Sequence, residues 1–202
     1  MALLSTHRPQ DLCGPALLWR LWPVLLILSG LVATESPAQP APSREYQIKA
    51  VFLFNFIQFV EWPETTFPAN DAPVRIGILG DDPFGQSMEA TVKDETIRNR
   101  RLVVQRSHRL EDLQGCHLIF FCKSENRQIR EVLAQLDGRP VLTVSESEGF
   151  ARRGGVIAFY PDGKKVRFEI NSETAQRAGL KISSQLLELG KIVTTETPKG
   201  GS

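Results

Sequence analysis

The chain has 202 residues, with 24 Lys+Arg against 23 Asp+Glu, a net charge of +1 and 42% hydrophobic residues. That apolar fraction excludes an intrinsically disordered chain, and the near-neutral balance argues against a polyanionic partner such as nucleic acid.

The first 38 residues read as a signal peptide. Arg8 and Arg20 precede an apolar run from Leu21 to Val32, followed by Ser36-Pro37-Ala38 with small residues at −3 and −1 of a cut after Ala38. Twelve residues suit a signal core and fall short of the ~20 needed to span a bilayer. A cut after Ala33 competes with this site. An uncleaved anchor extended upstream through Ala16-Leu17-Leu18-Trp19 is the alternative, and either route delivers the following domain outside the cytoplasm. The segment 39–43 is a Pro-rich tether, 44–193 the domain, and 194–202 a disordered tail.

Ser43 is placed to cap a helix from Arg44 to about Val60, ended by Trp62-Pro63 because the residue before proline avoids the α region. Its centre is apolar nearly all round, with Phe52, Phe54, Phe56 and Phe59 among its residues. By default these four are mostly core, but there are more aromatics than one helix face needs, and a share of them would form a dimer or partner interface. Strands follow at Val74–Leu79, Arg101–Arg106, Cys116–Cys122, Val141–Ser145, Val156–Tyr160 and Lys165–Ile170, the last two joined by a turn at Pro161-Asp162-Gly163. Helices are predicted near Gln86–Lys93, over Asn126–Leu136 behind a Ser124 cap, at Glu173–Ala178 behind Asn171, and at Gln185–Leu189 behind Ser183 or Ser184. The pattern predicts a single-domain three-layer α/β sandwich: a mostly parallel sheet of about six strands, a C-terminal antiparallel hairpin, and helices on both faces.

Cys13 leaves with the leader. Cys116 and Cys122 flank an expected strand, and six residues of extended chain hold them about 20 Å apart, beyond disulfide reach. No disulfide within the chain is expected, and one linking two subunits stays open. No cysteine–histidine spacing matches a zinc site, and Ser145 has no identifiable base, so no metal, cofactor or catalytic set is expected.

The ordered segments EYQIKAVFLFNFIQFVEWP (45–63), VRIGILGDDPFG (74–85), CHLIFF (116–121), GRPVLTVSESEGFARRGGVIAF (138–159) and VRFEINSETAQRAGLKISSQLLELGKIV (166–193) resemble the YfiR family of exported proteins. The resemblance implies a compact α/β domain without enzymatic activity. It implies a periplasmic role in restraining an inner-membrane signalling protein, a diguanylate cyclase or sensor kinase, and so in cyclic di-GMP signalling and biofilm formation. An outer-membrane-associated lipoprotein would relieve that restraint. The cysteines some members carry near 150 and 158 are absent, since Phe150, Ala151, Ala158 and Phe159 stand there; redox control by that route is in doubt.

Low-molecular-weight ligands have candidate residues as well. Asp81, Asp82 and Phe84 follow a parallel strand, where open α/β sheets bind ligands, although a turn with an N-cap aspartate before Pro83 is the favoured reading. Arg167, Glu169 and Asn171 share one face of the sixth strand; pairing of the two charges and a cap from Asn171 is the favoured reading, and with Trp62 they would also suit an aromatic or nucleotide-like ligand. Arg98, Arg100, Arg101, Arg106 and Arg109 form the one basic cluster, read first as a solvated strand edge and otherwise as a contact for anionic lipid, a phosphate-bearing ligand or an acidic partner surface.

Overall fold

The computed structural model describes residues 43–196; the expected leader, most of the tether and the end of the tail lie outside them. Helix α1 (Arg44–Phe59) opens the domain and hands over to a two-residue strand, β1 (Val60–Glu61). Its buried residues Lys49, Ala50, Leu53, Phe56 and Ile57 recur at helical spacing, while Arg44, Ile48, Val51 and Gln58 face out. Ser43 accepts backbone bonds from Tyr46 and Gln47 through its carbonyl, but its hydroxyl does not cap the helix. The helix stops three residues before Pro63 because β1 pairs with β9 (Lys181–Ile182).

The central sheet has eight strands, two more than predicted. In spatial order they are β10 (Lys191–Ile192), β8 (Lys165–Ile170), β7 (Ile157–Asp162), β6 (Leu142–Ser145), β5 (Leu118–Phe121), β2 (Val74–Leu79), β4 (Arg100–Ser107) and β3 (Thr96–Ile97). Five of the pairings are parallel, and β7–β8 and β3–β4 are antiparallel. The additional strands β3 and β10 are two-residue edges, too short to show a period of two. The β7–β8 turn falls at Gly163-Lys164 rather than at Pro161-Asp162-Gly163, because Asp162 pairs with Lys165 across the ladder. Gly163 takes the left-handed backbone this tight turn requires.

Alternation along β5 divides the interior in two. Leu118 and Phe120 join a larger core with α1, α2 (Ser87–Val92), α4 (Ser172–Arg177) and α5 (Ser184–Leu189). Ile119 and Phe121 join a smaller core under α3 (Ile129–Leu136). Helices therefore cover both faces of the sheet, as the three-layer prediction requires. In the larger core Phe56 stacks on Phe159 at 5.6 Å and meets Phe168 edge-on at 5.0 Å. Full burial of one such ring contributes about 1.5–3 kcal/mol.

Asn171 caps α4 through Thr174 N–H, and Ser183 caps α5 through Leu186 N–H. Ser124 does not cap α3. A 3-10 turn over Lys123–Arg127 intervenes, and the Ser124 hydroxyl accepts Asp81 N–H at 3.0 Å. Of the expected tail, Thr195 and Glu196 are tied to the domain by hydrogen bonds from Asn171 Nδ2 to Thr195 Oγ1 and from Glu196 N–H to Arg152 O.

Candidate functional site

Lys123 and Glu146 lie just beyond the ends of parallel strands β5 and β6, beside the β7–β8 hairpin and the first two turns of α1. Between them lies a cleft of about 720 Å³. Lys49 forms its floor. This side chain falls on the same helical arc as Leu53 and Phe56 and is 3% exposed. Its ammonium donates to Glu146 Oε2 and Glu45 Oε1, each at 2.5 Å. Tyr46 Oη donates to Glu146 Oε1 at 2.9 Å, and Lys123 Nζ stands 3.5 Å from Glu146 Oε2. The Lys49 hydrogen bond, joined by its charge, holds the Glu45 carboxyl below its ordinary range despite partial burial. Burial, then the hydrogen bond to Glu146, pushes the Tyr46 phenol up. A buried ion pair is costly to desolvate unless its hydrogen bonds are well made, as they are here.

The predicted loop residues divide. Asp82 is committed: Oδ1 accepts Phe84 N–H and Oδ2 accepts Arg106 Nε, both at 2.7 Å. Arg106 also grips Glu89 and Gly85 O, and its hydrogen bonds keep the guanidinium protonated well above its ordinary range. Phe84 is fully buried, edge-on to Tyr46 and Phe120, so it forms core behind the cleft rather than a ligand surface. Asp81 is exposed, 3.9 Å from His108 Nδ1.

Arg167, Glu169 and Asn171 do not stand beside Trp62. Phe168 and Ile170 share the larger core with Trp62, so by alternation the polar row takes the opposite face of the sheet. Arg167 is 3.5 Å from Asp162, Glu169 is held between Arg152 and Lys191, and buried Asn171 donates to Ala151 O while capping α4. Trp62 donates its indole N–H to His117 O at 3.1 Å and lines a separate open hollow of about 470 Å³ with Glu61, Arg98 and Lys181.

His117 completes this second end of the sheet. Its Nδ1 accepts Arg75 N–H at 3.0 Å, Phe67 stacks on the ring at 4.4 Å, and Nε2 has no hydrogen-bond partner. Burial, then the charges of Arg75 and Arg100, lowers its pKa to about 4.

Of the four phenylalanines read as an interface, Phe56 is fully buried and belongs to the core, which corrects that expectation for this residue. Phe52, Phe54 and Phe59 are partly buried against the same core. The exposed apolar residues of α1 are Ile48 (40%) and Val51 (49%). The arginine cluster is largely engaged as well. Arg98 pairs with Glu61, Arg100 donates to the carbonyls of Ala69 and Ala72, and Arg109 pairs with Glu111.

Both remaining cysteines are buried free thiols, placed in different cores on opposite sides of the sheet because β5 covers only the four residues between 118 and 121. Burial pushes Cys116 up to about 11 and Cys122 further still. Ser145 donates to Phe121 O. Among the described residues no group of three His, Cys, Asp or Glu is placed to hold a metal, and no helix is long and apolar enough to cross a membrane.

Lys49 and Glu146 were not singled out from the sequence. A lysine on the apolar arc of a helix was the available signal for the first; Glu146, 97 positions away, carried none.

These features define a doubly wound α/β domain with a charged cleft at the carboxyl ends of its strands. The family model described as YfiR/HmsC-like matches residues 46–191, most of the chain, and the protein belongs to that family. The family is one of regulators rather than of known enzymes. Similarity also extends to the crystal structure of a conserved domain protein from Vibrio cholerae O1 biovar El Tor, with a TM-score of 0.48 and 11% identity over 73% of this chain. The match covers 59% of that chain's length.

Proposed function

We propose that this protein is exported to the periplasm and restrains an inner-membrane signalling protein, a diguanylate cyclase or a sensor kinase, by binding its extracytoplasmic part. Family membership supports this reading, and the observation that carries it is the outer face of α1. Ile48 and Val51 stand exposed there on a helix whose other apolar residues are buried or partly buried. Apolar side chains grouped on an outward face are the usual centre of a protein contact. Binding would stabilise the inactive state of the partner by its differential affinity for that state. A competitor for the same face, such as an outer-membrane-associated lipoprotein, would release it.

The test is recovery of a membrane signalling protein from detergent-solubilised envelope by the immobilised protein. Val51→Glu is expected to abolish recovery while leaving stability within about 0.5 kcal/mol of the parent, as surface substitutions usually do. Repeated recovery of nothing by the parent protein refutes the reading. Sedimentation of the free protein shows whether a second copy covers the same face as a homodimer.

The cleft favours a second reading, a sensor whose primary event is binding of a small molecule. About 720 Å³ is the size of a typical ligand site.

A further inference from the structure

We infer that the cleft between α1 and the β7–β8 hairpin binds a small organic anion, a carboxylate or phosphate carried on a body with an apolar face. The inference rests on the small-molecule reading and names its site and ligand class. Lys123 and Glu146 place the cleft just beyond the carboxyl ends of parallel strands, the usual ligand position in open α/β sheets.

Charge selects the class. Five cationic side chains line the cleft (Arg44, Lys49, Lys123, Lys164 and Lys165) against two carboxylates, Glu45 and Glu146. Both carboxylates are already engaged by Lys49, so neither is free to receive a cationic ligand. Arg44, Lys164 and Lys165 have no ion-pair partner among the described residues. The cleft therefore presents unneutralised positive charge around a floor of fixed geometry.

That floor is built rather than incidental. Lys49 is held by two carboxylates and cannot swing to solvent as a surface lysine does. An ammonium carries three N–H donors; two go to the carboxylates, and apart from these Nζ meets the Tyr46 ring at 4.7 Å and the Phe159 ring at 5.9 Å, with no third oxygen acceptor among the described residues. Ile48, Phe159 and Val166 supply the apolar wall. An anionic group reaching Lys49 from the side of Lys164 and Lys165 would lay its apolar body along that wall.

Phenyl phosphate and benzoate serve as probes, with benzylamine as the control of similar size and opposite charge, each titrated into the purified isotopically labelled protein. The anions are expected to give saturable amide shifts at 44–49, 123, 146 and 160–166, and benzylamine none. Lys164→Glu/Lys165→Glu, in the exposed hairpin, should weaken binding about tenfold by reversing two nearby charges. Absence of saturation below about 10 mM, equal binding of benzylamine, or unchanged affinity in the double variant overturns the proposal. So does binding to phosphatidylglycerol vesicles that phenyl phosphate fails to displace, which would move the anion to a lipid headgroup. A molecule that stabilises the protein while shifting only amides around Trp62 leaves the sensing reading intact and refutes this cleft as its site.

Discussion

Lys49 Nζ stands 2.5 Å from Glu146 Oε2, and the two side chains are 4% and 5% exposed. This contact ties the first turns of α1 to the end of β6 and sets the shape of the cleft floor. Removing one member leaves the other with its remaining partners only, Glu45 for Lys49 and Tyr46 with Lys123 for Glu146, at a cost of about 1–3 kcal/mol. Lys49→Met and Glu146→Gln should each destabilise by that order in urea unfolding. The double variant should cost clearly less than the two single losses combined. Strict additivity would mean that the two charges are not coupled.

His117 makes stability depend on pH. Its folded pKa of about 4 lies below its ordinary value of 6.5, so between these values the unfolded chain binds a proton that the folded chain refuses. Stability is therefore fully present above pH 6.5 and declines as pH falls toward 4, by about 3 kcal/mol. His117→Asn retains an acceptor for Arg75 N–H and cannot titrate. Urea midpoints across this window should slope for the parent and flatten for the variant.

Asn171 was a candidate ligand contact, and its geometry makes it structural. Its side chain accepts Thr174 N–H at 3.0 Å and donates to Ala151 O at 2.8 Å from a fully buried position. Asn171→Ala loses the cap and leaves a buried carbonyl unpaired, for about 2–3 kcal/mol. Thermal or urea unfolding checks this directly; a variant as stable as the parent would return Asn171 to the ligand candidates.

Gly155 is held by a close approach rather than by its backbone angles. A Cβ there would sit 2.1 Å from Phe150 Cε1, and that ring is fully buried 5.3 Å from Phe121. Gly155→Ala should cost about 1–3 kcal/mol through overpacking. Gly155→Ala/Phe150→Leu should recover part of the loss, as measured by the shift in denaturation midpoint.

Much of the fold was legible before the structure. Strands β2 and β8 begin and end where their sequence patterns predict, and the glycine of the β7–β8 turn and the Asn171 cap announce themselves locally. What escaped was short or distant. Strands β1, β3, β9 and β10 have two residues each, and β1 exists because a segment some 120 positions later lies alongside it. Asp82 read as a turn residue or a ligand contact, and nothing local announced Arg106, which β4 brings within 2.7 Å of it.

Residue order alone determined the α/β class, the parallel sheet with its closing hairpin, and the family, because hydrophobic period, capping and turn chemistry act over a few neighbouring residues. Tertiary structure decided which charges are spent and which are available. It buried Phe56 and Phe84, separated Trp62 from the Arg167–Glu169–Asn171 row, and brought Lys49 to Glu146 across 97 positions of chain. Whether a polar group is paired depends on partners supplied by chain closure, and no local period encodes those partners.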